Sequence, residues 1–111
     1  MSDYHPDKWV VVKIDGNGHT PIYKVFACWY GGYAGSDSWK LNSGITKATL
    51  FENCFQFEGS SGSVYFCGKY MYGTNLYGHG VLSTMISQGA ENGITIEILP
   101  EDTNWLELNY E

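Results

Sequence analysis

Two runs of β-branched and aromatic residues, positions 8–14 and 22–30, stand on either side of Asp15-Gly16-Asn17-Gly18. Asp-Gly and Asn-Gly readily supply the positive φ of a tight turn, so the two runs form a β-hairpin. In the first, Val10, Val12 and Ile14 share one face. In the second both faces are apolar, Phe26 and Cys28 on one side against Val25, Ala27 and Trp29 on the other. A strand that is apolar on both faces belongs in the middle of a sheet covered on two sides. That requirement excludes an extended or coiled-coil chain and calls for at least one further layer.

The rest of the chain supplies more strand-like pieces. A loop over residues 31–38 leads to a short extended piece at 39–41 and a turn at Asn42-Ser43-Gly44. Strands at 54–58 and 64–67, joined by Gly59-Ser60-Ser61-Gly62-Ser63, make a second hairpin, with Phe55 and Phe57 on its apolar face. Val81, Leu82, Met85 and Ile86 fall at i, i+1, i+4 and i+5 and form one helical stripe, with Gly89 placed to end it. Ile94, Ile96 and Ile98 alternate with polar residues, as do Leu106, Leu108 and Tyr110, so both segments read as half-buried antiparallel strands. The expected fold is mainly antiparallel β, a sheet or small barrel or sandwich, with one short helix near residues 79–88, α+β or all-β in class. A chain of 111 residues is one domain, 1–111.

Charge narrows the partners. Residues 1–24 balance three lysines against three aspartates, whereas residues 90–111 carry six acids and no base, which accounts for the net charge of −6. There is no arginine, and nucleic-acid recognition relies on dense Lys/Arg neutralisation of phosphates, so no nucleic-acid partner is expected. No apolar run approaches the roughly 18–20 residues of a membrane span, and the polar start lacks the pattern of a signal peptide. Cys28, Cys54 and Cys67 are odd in number, widely spaced and set among apolar neighbours, as reduced core residues of a cytoplasmic protein are.

No catalytic motif, metal-ligand spacing or cofactor signature emerges. The serines lie in glycine-rich turns, and His5, His19 and His79 share no ligand spacing. His79, between two glycines, and Asp37, the sole acid of its loop, are the residues an enzyme reading would use. What distinguishes the chain is composition in two stretches. Residues 29–39 contain Trp29, Tyr30, Tyr33, Ser36, Asp37, Ser38 and Trp39, followed by Lys40. Residues 59–80 hold Ser60, Ser61, Ser63, Tyr70, Tyr72, Asn75, Tyr77 and His79 with one charge, Lys69. Tyr, Trp, Gly and Ser combine rigid aromatic contact with adaptable hydrogen bonding, which suits a planar, nucleotide-like ligand with a lysine as the point charge for a phosphate. The same residue types also make ordinary turns, and an uncharged Tyr-rich surface also suits a contact between subunits, so a homo-oligomer is expected.

The run over residues 29–45 (Trp-Tyr-Gly-Gly-Tyr-Ala-Gly-Ser-Asp-Ser-Trp-Lys-Leu-Asn-Ser-Gly-Ile), together with Gly62-Ser63-Val64-Tyr65-x-Cys67 and Tyr4-His5-Pro6-Asp7-Lys8-Trp9, resembles a group of small proteins of no assigned activity encoded by tailed phages of aquatic bacteria. The resemblance covers roughly the first two-thirds of the chain. It implies a cytoplasmic accessory protein made in an infected host cell. By analogy of role, such a protein would sequester a nucleotide-derived immune signal without catalysis. Three other readings stand beside it. One is an acidic, nucleic-acid-mimicking inhibitor that engages a host factor through Glu91, Glu97, Glu101, Asp102, Glu107 and Glu111. Another is a small enzyme acting on a nucleotide-like ligand, with His79 and Asp37 as its reactive residues. The third is a structural component of the virion.

Overall fold

The computed structural model describes residues 2–16, 18–32 and 35–110. Its elements in chain order are β1 (Asp3–Tyr4), β2 (Lys8–Gly16), β3 (His19–Trp29), β4 (Ser38–Leu41), β5 (Ile45–Phe51), β6 (Cys54–Gly59), β7 (Val64–Gly68), α1 (Leu76–Glu91) and β8 (Ile94–Ile98). They form two four-stranded sheets, β4-β3-β2-β8 and β1-β7-β6-β5, neither of which closes into a barrel. Every pairing is antiparallel except that of β1 with β7.

The first sheet is the middle layer of three, because β2 and β3 are apolar on both faces. Trp9, Val11, Val25 and Ala27 join Phe57, Tyr65 and Cys67 of the second sheet in one core. Val10, Val12, Phe26 and Cys28 join Leu82 of α1 in another. β3 lies between β4 and β2, the internal position that its two apolar faces require.

The α1 helix is longer at both ends than its apolar stripe. It begins at Leu76, three residues before the expected start, so His79 lies inside it. Asn75 is the N-cap, its side-chain oxygen accepting from the Gly78 amide at 2.7 Å. Gly78 and Gly80 look like helix breakers, but Gly78 is a point of close approach: a Cβ there would lie 2.3 Å from Cys28 Sγ. Gly89 does not end the helix either. It lets α1 pass close to β8, where a Cβ would meet the Ile94 carbonyl oxygen at 3.1 Å; the helix runs on to Glu91 and is ended by the Asn92 cap and Gly93, whose φ is 76°.

Two further differences concern strands. Residues 45–53, to which the sequence pattern assigned no element, form β5 and a tight turn in which Glu52 has φ 57°. The expected strand at Leu106, Leu108 and Tyr110 does not form. Turns close at Pro100–Thr103 and Asn104–Glu107, and the buried anchor is Trp105, 3% exposed, while Leu106 is 47% exposed. The residues after β8 are therefore an irregular strap laid over the open side of the space between the sheets, with Tyr110 against Tyr23 and its hydroxyl donating to the Trp105 carbonyl.

Candidate functional site: an aromatic cleft under the strap

Trp9 enters the space between the sheets because it alternates with Val10, which faces the helix. Its indole N–H donates to the Gly68 carbonyl at 2.7 Å, which fixes the plane of the ring. The connection from β7 to α1 then runs alongside β2: Gly73 donates to the Trp9 carbonyl at 2.8 Å, and Tyr72 forms a parallel bridge with Trp9. The Tyr72 ring meets Trp9 edge-on, with centroids 4.8 Å apart, and lies 5.6 Å from Trp105 of the strap. Phe55 of β6 completes the aromatic side, 6.0 Å from Trp9.

These rings line a cleft of about 530 Å³, within the usual size range of small-molecule sites. Its mouth carries Lys69 and Tyr70 from the β7–α1 connection and Glu101, Asp102 and Thr103 from the strap. The Lys69 ammonium stands 5.9 Å from the centre of the exposed Tyr70 ring. Among the described residues, neither carboxylate nor the Lys69 ammonium is engaged in an ion pair or hydrogen bond, while the Lys69 backbone N–H donates to the Asn53 carbonyl at 2.8 Å. The Thr103 hydroxyl, by contrast, is occupied with the Pro100 carbonyl. Burial above all pushes the Tyr72 phenol up to about 12; the Val11 amide opposes this, and the Glu101 charge adds to it. Tyr72 is thus a neutral group at ordinary pH and no base.

Of the residues singled out by composition, Lys69, Tyr70 and Tyr72 line this cleft. The other described ones lie elsewhere. Ser60, Ser61 and Ser63 sit at the far end of the β6–β7 ribbon, where Ser61 N–H donates to Ser43 Oγ at 2.9 Å and Ser60 N–H to the Gly44 carbonyl at 2.9 Å. Trp29, Tyr30, Ser36, Asp37, Ser38 and Asn75 gather where β3 ends against the start of α1. Here Asp37 accepts from Gly31 N–H at 2.9 Å, Asp7 accepts from Tyr30 N–H at 2.8 Å, and Asn75 Nδ2 donates to the Trp29 carbonyl at 3.2 Å. These polar groups hold chain to chain. Tyr77 and His79 follow on α1, both exposed. Trp39 is stacked on Phe26, centroids 5.5 Å apart, and Lys40 stands over Tyr4. Tyr33 lies outside the described residues.

No family model, curated protein or solved structure matches the chain. The cleft must therefore be read from its own chemistry. Trp9, Phe55 and Trp105 were hidden in the sequence because a buried aromatic in a site looks like any other core residue. The one available signal was Trp105 itself, a bulky ring set within the acidic segment.

Among the described residues no helix is long and apolar enough to cross a membrane, and no group of three His, Cys, Asp or Glu could hold a metal ion. Cys28 and Cys67 are buried and Cys54 half-buried, all as free thiols, and burial pushes each of them up. Glu91, Glu97, Glu101, Asp102 and Glu107 are all exposed, with Glu97 directly opposite Lys13 in the β2–β8 pairing. Glu111 is outside the described residues.

Proposed function

We propose that this chain is a phage-encoded capture protein that holds a small planar ligand, a nucleotide derivative, in the aromatic cleft and does no chemistry on it. The observation that carries the reading is the cleft itself: a floor of buried Trp9 and Trp105, half-buried Phe55 and Tyr72 beside it, and the exposed Tyr70 ring at the mouth with Lys69, whose ammonium has no ion-pair partner among the described residues. Aromatic faces take planar rings with little demand on sequence of contacts, and a single ammonium suits a phosphate. The lining contains no histidine, cysteine or serine, and its buried phenol is a poor proton acceptor, so retention fits it better than turnover. In this reading the protein works in the cytoplasm of the infected host and removes a nucleotide-derived defence signal from circulation. Self-association of copies is a separate part of the proposal, read by light scattering.

The test is capture and release. The purified protein is incubated with candidate nucleotides, desalted, heat-denatured, and the supernatant examined by mass spectrometry. Recovery of the unaltered ligand supports the reading. Recovery of a cleaved or modified product overturns it in favour of an enzyme.

A further inference from the structure

The charges at the mouth of the cleft bear on which ligand it would take. Lys69 contributes one positive charge, whereas Glu101 and Asp102 contribute two negative ones, so the mouth is net negative on a protein that is itself at −6. A ligand with several phosphates would meet that field unfavourably, since like charges at a partly enclosed site cost more than they do in bulk water. A single phosphate, with at most about two negative charges near pH 7, meets less of this penalty, and contact with Lys69 offsets part of it.

The two carboxylates also bear on the kind of ring edge such a mouth would accept. An ionised carboxylate only accepts hydrogen bonds, so it favours a ring edge that presents donors. Among the common bases, guanine offers adjacent N1–H and N2–H donors that match one carboxylate with two parallel bonds. Adenine places its N6 donor beside the N1 lone pair, which would face a carboxylate oxygen. No side chain already bonds Glu101 or Asp102 among the described residues, so both remain open to such an edge.

We infer that the cleft selects a guanine-type ring carrying no more than one phosphate, with the ring edge read by the strap carboxylates of Glu101 and Asp102 and the phosphate held by Lys69. This rests on the capture reading above and narrows its ligand class. It also assigns the strap a specificity role: a segment whose acids would otherwise serve only solubility supplies the discriminating contacts.

The experiment is a titration of the full chain at fixed ionic strength with guanosine monophosphate, adenosine monophosphate and guanosine triphosphate. It is followed by tryptophan fluorescence, with Trp9 and Trp105 in the cleft, and by calorimetry. The expected order is guanosine monophosphate tighter than adenosine monophosphate by about tenfold or more, because leaving polar groups mismatched at a site is costly, and tighter than the triphosphate. In the Glu101→Gln, Asp102→Asn double variant the base preference should shrink to less than about twofold and the triphosphate should gain. Lys69→Met should weaken both monophosphates alike. All three positions are exposed, so the variants should fold, and circular dichroism checks this. Equal binding of the two monophosphates, or tightest binding by the triphosphate, overturns the selectivity while leaving capture standing. Absence of binding by all three overturns both.

Discussion

The Tyr72 hydroxyl donates to the Leu99 carbonyl at 2.5 Å, pinning the start of the strap to the floor of the cleft, and in the same place it accepts the Val11 amide proton at 3.2 Å. One phenol thus satisfies a strand donor just beyond the end of the β2–β8 pairing and an acceptor in the strap. Tyr72→Phe keeps the ring contacts with Trp9 and Trp105 and removes only this bridge. It should cost about 1–3 kcal/mol, the usual penalty for buried groups left unpaired, read as a lower urea midpoint with unchanged slope.

The same phenol makes stability sensitive to alkali. Burial first of all pushes Tyr72 and Tyr65 each up to about 12, above the value near 10 of an unfolded tyrosine. Above pH 10 the unfolded chain gives up these protons while the folded chain keeps them, so the folded state binds more protons and loses stability as pH rises. The contribution is intact below about pH 10 and declines between about 10 and 12. Urea midpoints across this range should fall, and Tyr72→Phe should make the fall shallower without abolishing it, since Tyr65 remains.

Gly78 and Gly80 lie two residues apart in the first turns of α1 and should respond to alanine in opposite directions. A Cβ at Gly78 would lie 2.3 Å from Cys28 Sγ and 2.9 Å from Asn75 Oδ1, whereas nothing lies within 4 Å at Gly80. Gly78→Ala should destabilise by about 1–3 kcal/mol through overpacking. Gly80→Ala should stabilise by about 0.5–1 kcal/mol, the ordinary gain in helix propensity. Thermal melts of the two variants measured side by side decide the matter.

Asn75 performs two tasks at once, capping α1 through Gly78 and tying it to the Trp29 carbonyl. Asn75→Asp preserves the cap oxygen but loses the donor to Trp29 and brings a second carboxylate toward Asp37. Asn75→Ala loses both functions and should cost about 1–2 kcal/mol from the cap alone. The expected order of denaturation midpoints is wild type, then aspartate or alanine well below it. Equal midpoints for all three would show that neither tie holds the helix.

Trp105 and Leu106 are neighbours in the strap with opposite roles. Trp105 packs on Trp9, Phe57 and Tyr72, so Trp105→Ala should cost about 3–5 kcal/mol. Leu106 is 47% exposed, and Leu106→Ala should change stability by less than about 0.5 kcal/mol. A strand in this segment, as its period-two pattern suggests, would give the reverse ranking.

That contrast shows why parts of the molecule were legible and others were not. The β2–β3 hairpin was readable because its turn residues and its doubly apolar second strand are local signals. The first turn of α1 was not, because Gly78 serves a contact with Cys28 some fifty residues away. The strap imitated a strand because Leu106, Leu108 and Tyr110 alternate, while the decisive residue, Trp105, falls out of phase. The Tyr, Gly and Ser composition marked several separate places, and just one of them, around Lys69, Tyr70 and Tyr72, opens into the cleft. A site assembled from positions 9, 55, 69, 70, 72, 101–103 and 105 leaves no compact signature in the chain.

The middle sheet is a partition one peptide thick. Trp9 forms part of the cleft and its neighbour Val10 belongs to the core beneath α1, so whatever moves the indole also pulls on the opposite compartment through a single covalent link. The helix supplies no residue of the cleft lining, but Tyr72 of that lining also packs against the core beneath α1, which makes the helix the natural place to listen for an occupant: slowed amide exchange along α1 would report a filled cleft from the other side of the wall.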